Sequence, residues 1–239
     1  MKVLDLTLPT PAENLACDEA LLDAAEDGRA GETLRFWESP EPFVVLGYAN
    51  KLASEVHQAA CEARGIPIQR RCSGGGTVVQ GPGCLNYALV LEIKAAGPLE
   101  NIGSANQFIM QRNQEALEVF LHRPVQLSGH TDLAVGARKF SGNAQRRKRR
   151  FLLFHGTILL NLDLKLVSEL LFVPAHQPAY RQNRPHTLFL INLLKPAAGI
   201  KEALRATWRT EATPAEVPAA EIARLVAEKY SRRDWNFKF

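Results

Sequence analysis

The sequence predicts an α/β protein, one domain over residues 1–239 with a mixed sheet flanked by helices. Three observations predict it. Short apolar, β-branched runs alternate with segments of helical spacing along all 239 residues. No internal repeat and no long linker divides the order. At 46% hydrophobic and 23% charged residues the composition is that of a globular chain, and a chain this long buries roughly 70% of its unfolded surface, so it needs no staples.

Residues 13–27, ENLACDEALLDAAED, carry apolar positions at helical spacing and predict the first helix. TLRFW (33–37) and FVVLGY (43–48) predict strands, split by the turn-forming Ser39-Pro40-Glu41-Pro42. A helix over 54–64 stops at Gly65, and 66–71 is a short strand leading into three glycines. Strands at 77–80 and 84–93, separated by Gly81-Pro82-Gly83, predict a hairpin. A long helix at 103–122 is followed by extended pieces at 125–127, 132–135 and 138–143. FLLFHGTILLNL (151–162) is too apolar and β-branched around Gly156 for a surface helix and reads as a buried strand. Helices at about 164–171, 198–209 and 216–230 complete the order.

Several function classes fall away. No apolar run approaches the ~20 residues of a membrane span. The N-terminus lacks a signal peptide's apolar core, which predicts a cytoplasmic protein with no membrane partner. Cys17, Cys61, Cys72 and Cys84 form no Cys-x-x-Cys pair, so they read as reduced thiols and no metal site is expected. The formal net charge of +4 favours an acidic partner only where charge is clustered.

Three segments carry candidate chemistry. In RRCSGGGTVVQGPGCLNYALVL (70–91), Gly74, Gly75 and Gly76 follow Arg70, Arg71 and Ser73. There is no GxxxxGK[ST], and strand-like residues rather than a helix follow. A strand, an open loop of N–H groups and a second strand can hold an anion, and an arginine can grip a carboxylate or phosphate with two parallel bonds. A plain β-turn with surface arginines explains the glycines equally well. In GHTDLAVGARKFSGNAQ (129–145), Lys139 stands among small residues, where an ammonium in a cleft stabilises charge developing on an acyl or phosphoryl oxygen; an exposed edge-strand lysine is the plain alternative. FHGTILLN (154–161) sets His155, Gly156 and Thr157 in a buried strand. A lone histidine there is more often a satisfied core residue than a catalyst.

Together these segments resemble the lipoate–protein ligase and lipoyl/octanoyl transferase family. RRCSGGGTVVQGPGCLNYAL is similar to its RR-x-SGGG-x-V…G-x-LNY/F block, GHTDL…GARKFSGNAQ to its DL…G-x-K-(I/V)-SG-(S/N)-A block, and FHGTILLNLDL to its HHGT-LLL-N-x-DL block. FVVLGYANKLASEVH (43–57) is similar to its VV-(I/L)-G…N…EVN segment. The blocks run in the family's order over roughly 10–235. The GRGR-x-GR signature of the related biotin ligases does not occur. The resemblance implies the biotin/lipoyl ligase-like catalytic fold, with a mostly antiparallel sheet. It implies that Arg71, Ser73, Gly74, Gly75 and Gly76 wrap an acyl-adenylate, with Asn86 on the neighbouring strand and Asp132 near the nucleotide. Lys139 is the implied catalytic residue at the carbonyl and α-phosphate oxygens, beside Ser141 and Gly142. His155, Gly156 and Thr157 close one wall, and Gly47 and Tyr48 border the acyl tail.

A ligase of this kind joins lipoic acid, or octanoate, to ATP with Mg²⁺ and passes the acyl group to a lysine of an acceptor. The implied acceptor is an acidic lipoyl domain of a dehydrogenase E2 subunit or a glycine-cleavage H-type protein. The alternative is a transferase that moves octanoyl or lipoyl groups between carrier proteins without ATP. Two departures bear on the choice. No C-terminal accessory domain is expected after 229–236, a domain some family members receive as a separate subunit. The transferases use a cysteine thioester, yet 152–154 reads Leu-Leu-Phe and 128–131 reads Ser-Gly-His-Thr at the two places the family sets that cysteine. The basic run Arg146, Arg147, Lys148, Arg149 and Arg150 reads as a solvated hairpin tip between two strands, or as a rim that steers an acidic acceptor. Nucleic-acid binding through it is the third reading, and no interleaved aromatics support base stacking.

Overall fold

The computed structural model describes residues 1–239. Its strands are β1 (Lys2–Asp5), β2 (Thr33–Trp37), β3 (Phe43–Leu46), β4 (Ile68–Arg70), β5 (Val78–Gln80), β6 (Cys84–Glu92), β7 (Gln126–Ser128), β8 (Asp132–Val135), β9 (Arg138–Arg147) and β10 (Phe151–Leu159). Its helices are α1 (Pro11–Glu26), α2 (Leu52–Glu55), α3 (Gln58–Ala63), α4 (Ile102–Leu121), α5 (Leu164–Leu170), α6 (His186–Phe189), α7 (Ala197–Thr207), α8 (Ala219–Leu225) and α9 (Arg233–Asn236). A single 3₁₀ turn spans Ala179–Arg181, and a π-helical turn, Val226–Tyr230, continues α8.

The strands form two sheets where the sequence predicted one. Seven strands lie in the order β1-β2-β6-β10-β9-β8-β7, and three in the order β4-β3-β5. Pairing is antiparallel except for β1 with β2 and β3 with β4, so the sheets are mixed and mostly antiparallel. The Gly81-Pro82-Gly83 segment is not a hairpin. β5 pairs with β3, and the chain then crosses to β6 in the large sheet. The Cys84 amide closes the turn on the Gly81 carbonyl, while the Gly83 amide donates to Glu38 and its carbonyl accepts from Leu160 and Asn161.

β6 is buried along eight of its nine residues because both sheet faces are covered. Leu85, Tyr87, Leu89 and Leu91 meet Ile109, Met110 and Leu117 of α4 and Ile200 and Leu204 of α7. Ala88 and Val90 point the other way, against α1 and α8. α1 starts two residues earlier than its apolar spacing indicates. Pro11 sits in its first turn, and Thr10 and Glu13 cap each other reciprocally at 3.2 and 2.8 Å.

The helix expected at 54–64 breaks at Val56 and His57. Val56 bridges to Leu171, and the His57 amide donates to the Leu170 carbonyl, which pulls the backbone out of the helix. β9 continues to Arg147, four residues beyond the expected strand, so Arg146 and Arg147 lie on a strand rather than a loop. β1, α6, the 3₁₀ turn and α9 carried no periodic signal.

Candidate functional site

A cleft of about 800 Å³ opens on the β10 face that carries His155 and Thr157. Its floor is built by cross-strand register. His155 pairs with Ala88 and Ala144, and Thr157 pairs with Asn86 and Gly142, so all six lie side by side. Small partners at 142, 144 and 88 keep the floor open. Thr157 donates to Asn86 at 2.7 Å and accepts from Gln80 at 3.1 Å.

The first wall is the glycine loop. Its Arg71 side chain is buried and donates to Ser73 Oγ and to the Gly74 and Gly76 carbonyls, which folds the loop around the guanidinium. Nη1 has no hydrogen-bond partner, and no carboxylate pairs with Arg71. Burial pushes its pKa down to about 10. A buried cation without a counter-ion favours an anion in the cleft it lines.

Arg70 does different work. Fully buried, it donates to the carbonyls of Gly47, Tyr48 and Asn50 on one side and of Trp235 and Asn236 on the other. It clamps the 47–50 turn to α9 and faces no ligand.

Lys139 stands on the second wall, at the start of β9. Its Nζ lies 2.7 Å from Asp132 Oδ1, and a Cβ at Gly142 would sit 2.6 Å from that nitrogen, so the glycine makes room for the amine. Asp132 Oδ2 accepts from the Tyr180 hydroxyl at 2.8 Å. Tyr180 belongs to a roof, residues 171–189, that carries no regular element longer than four residues. Its second cation, Arg181, is buried, has no carboxylate partner, and donates to the Arg184 carbonyl and to His186 Nδ1. Burial lowers the pKa of both Arg181 and His186. His186 Nε2 donates to the Phe172 carbonyl, so its neutral ring takes the Arg181 proton on the other nitrogen.

On the α1 side of the floor lies a buried polar chain, of which Asp18 and His155 line the cleft. His155 Nε2 is 2.6 Å from Ser73 Oγ and its Nδ1 is 3.0 Å from Asp18 Oδ2. Asp18, on α1, pairs with fully buried Arg35 of β2 at 2.5 Å. Burial opposes the charge on Asp18, but Arg35 and the His155 hydrogen bond outweigh it and hold the carboxyl below its ordinary value.

Of the residues singled out in the sequence, Arg71, Gly75, Gly76, Asn86, Asp132, Lys139, Gly142, His155, Gly156 and Thr157 line this cleft together. Ser73, Gly74, Gly47, Tyr48 and Ser141 do not. Ser73 lies behind His155. Gly47 packs against the glycine loop, where a Cβ would come within 2.1 Å of the Gly75 carbonyl oxygen. Tyr48 is turned outward onto Trp235 and Lys238. Ser141 is buried and accepts from Asn143.

The basic run sits at the far end of β9, Arg147 lying roughly 25 Å from Lys139 by strand rise. Lys148 pairs with Asp23 at 2.6 Å, the Arg150 amide donates to Glu26, and Arg147 donates to the carbonyls of Leu99 and Glu100. Arg146 and Arg149 are exposed and make no ion pair. The four cysteines are buried and none lines the cleft. Burial pushes Cys17, Cys72 and Cys84 up to about 12 and raises Cys61 as well, so none is a ready thiolate.

The residues that sequence reasoning missed are Asp18, Tyr180, Arg181 and His186. The signal for Asp18 was an acid inside the apolar run of α1, matched by the one arginine of TLRFW. The signal for the roof was weaker, a proline-rich stretch holding two arginines and two histidines.

The chain as a whole is similar to known proteins in sequence and in fold. The chain is 30% identical to "Octanoyltransferase LipM" of Symbiobacterium thermophilum over 99% of this chain and 98% of that one. It is 28% identical to the protein of the same name in Geobacillus kaustophilus over 95% and 94%. In fold it matches "lipoate-protein ligase A bound with ATP" with a TM-score of 0.85 at 23% identity, over 99% of this chain and 98% of that one. It also matches a bi-partite lipoate protein ligase of Thermoplasma acidophilum, with a TM-score of 0.84 at 22% identity over 99% and 95%. The model of the lipoyl protein ligase A/B catalytic domain matches residues 10–203. That stretch holds the glycine loop, Lys139, the floor and the roof, and the chain belongs to the lipoyl protein ligase A/B catalytic-domain family.

Proposed function

We propose that the protein transfers an octanoyl or lipoyl group to a lysine of an acceptor lipoyl domain. The observation that carries this reading is that Lys139 and the guanidinium of Arg71, which has no carboxylate partner, line the same cleft. Two fixed cations in one cleft suit a carbonyl that gains negative charge and a leaving group that carries it away. The donor favoured by relatives named octanoyltransferases along nearly their whole length is an acyl group on a carrier-protein thioester, used without ATP.

One observation favours a second donor. No cysteine lines the cleft, so a relay through an enzyme thioester has no thiol here. An acyl-adenylate made from ATP and lipoate needs none. No group of three or more His, Cys, Asp or Glu side chains converges in the fold, so the protein offers no cage for Mg²⁺. In that reading the ion rides on the nucleotide's phosphates. The acceptor is an acidic lipoyl domain of the E2 or H-protein type, met in part through the exposed Arg146 and Arg149.

The deciding experiment gives the purified chain an unmodified lipoyl domain with either octanoyl-carrier thioester alone or lipoate, ATP and Mg²⁺. Mass gain on the acceptor is measured in both arms, and pyrophosphate release in the second. Acylation from the thioester without ATP supports the first donor, and pyrophosphate release with lipoylation supports the second. No acylation in either arm rejects the reading.

A further inference from the structure

The two ends of the buried chain fix the direction of the hydrogen bonds they make. Asp18 is held as a carboxylate by Arg35 and can only accept, so His155 Nδ1 carries the proton it donates across 3.0 Å. Arg71 can only donate, and its Nε gives Ser73 Oγ a proton at 3.1 Å. In the neutral tautomer the Ser73 hydroxyl, 2.6 Å away, donates to His155 Nε2. In that tautomer the imidazole is oriented by a carboxylate and carries its lone pair on Nε2. Its ring lines the cleft, whereas Ser73 does not.

Its place relative to Lys139 follows from register. The lysine amine lies over Gly142, which pairs with Thr157. Thr157 and His155 are two residues apart on one strand face, about 7 Å by strand rise. A carbonyl drawn to Lys139 thus lies within reach of an amine that also contacts His155. Of the other candidate bases, Asp132 is held as the counter-ion of Lys139. His186 has Nδ1 on a buried guanidinium and Nε2 on a backbone carbonyl, whereas the Nε2 partner of His155 is a neutral hydroxyl, which gives way to an incoming donor more readily than a cation does. His130 and His176 are exposed and have no orienting partner.

We infer that His155 is the general base that deprotonates the acceptor lysine as it attacks the acyl carbonyl, with Asp18 and Ser73 as positioning residues. The inference rests on the acyl-transfer reading. An acceptor lysine is an ammonium at neutral pH, with an ordinary pKa of about 10.4, and must shed protons to form an amide. In the step, one proton of the ammonium passes to His155 Nε2, displacing the Ser73 hydroxyl, and the freed amine nitrogen bonds to the carbonyl carbon. The tetrahedral intermediate then expels the donor, and the nitrogen sheds its second proton. From a thioester the C–S bond breaks, the thiolate takes that second proton, and His155 returns the first to water. From an adenylate the C–O bond breaks, AMP leaves as its phosphate anion, and both protons go to water.

The test compares two nucleophiles in single turnovers from the same octanoyl donor, using full-length protein. Hydroxylamine is already neutral at pH 7 and needs no base to be freed for attack, whereas the lysine of the lipoyl domain does. His155→Ala is expected to lower the ratio of amide to hydroxamate formation by about 100-fold or more, and added imidazole is expected to restore part of it. Should the alanine variant melt below the assay temperature, His155→Gln gives the same readout. An unchanged ratio in a folded variant would overturn the inference. So would an octanoyl group found on Ser73 by mass spectrometry of acid-quenched protein before acceptor is added, since Ser73 would then be a nucleophile. Wild-type protein that forms neither amide nor hydroxamate from either donor would overturn the acyl-transfer reading and this inference with it.

Discussion

Tyr180 and Asp132 join the roof of the cleft to its second wall through one hydrogen bond of 2.8 Å, and the other oxygen of that carboxylate holds Lys139. Burial, and then the neighbouring Asp132, raises the Tyr180 pKa, so the hydroxyl stays a donor through alkaline assays. Tyr180→Phe leaves the lysine paired but its carboxylate held on one side only. A loss of about tenfold in transfer rate is expected, equal to about 1.4 kcal/mol. Single-turnover rates of the two proteins measure it, and equal rates would show that the roof contact does not position Lys139.

Lys139→Ala is expected to lower acyl transfer by about 10²–10³-fold, the scale for removing one group that stabilises a developing oxyanion. The side chain is partly exposed, so the melting temperature should hold. Lys139→Arg should not rescue, because a planar fork does not fit the space that Gly142 leaves for a compact amine. Wild-type rates with either variant would remove the lysine from the chemistry.

Gly75→Val should abolish ligand binding. Gly75 has φ of +84°, and a Cβ there would lie 2.9 Å from Arg71 Nη2. A β-branched residue resists that backbone conformation and pushes the guanidinium from its carbonyls. Calorimetry with a non-hydrolysable acyl-adenylate analogue checks this, and unchanged affinity would refute the anion cradle.

The Asp18–Arg35 pair sets an acid limit on stability. Because the folded carboxyl titrates below its ordinary 3.8, its stabilisation is complete above that value and is lost as pH falls through the folded value. Asp18→Asn leaves a buried guanidinium unpaired, at a cost of about 3–5 kcal/mol at neutral pH. Thermal melts from pH 7 to 3 should show the gap between wild type and variant narrowing at the acid end. A gap that stayed constant would mean Asp18 does not titrate in that range.

Arg146→Ser with Arg149→Ser should lower the second-order rate for an acidic acceptor while leaving hydroxylaminolysis of a small octanoyl donor intact. Steering by exposed charge acts on association, so salt should bring the wild-type rate down toward that of the variant. Lys148, Arg150 and Arg147 are engaged within the fold, and substituting them should lower the melting temperature instead. Indistinguishable acceptor rates at low salt would leave the run a hairpin tip and nothing more.

Most of the scaffold was legible because its strands and long helices bury periodic faces. β6, β10 and α4 announce themselves through apolar spacing, and the glycine loop, Lys139 and His155 through residue types that a plain surface does not need. What escaped was decided by contacts distant in sequence. The Gly-Pro-Gly segment looked like the tip of a hairpin; it is a turn, but β5 pairs with β3, and Gly83 is held by Glu38 and by the residues that follow β10. Asp18 looked like one more acid on a helix until Arg35 and His155 stood beside it. The roof has almost no regular structure, and its side chains acquire meaning only through Asp132.

Arg70 ties the 47–50 turn, on which the glycine loop rests, to carbonyls 165 and 166 residues away in sequence. Two of its five carbonyl acceptors, those of Trp235 and Asn236, belong to the last short helix. The placement of the cleft's first wall is therefore written partly in a segment that never touches the cleft, and a change in α9 reaches the glycine loop through a single guanidinium.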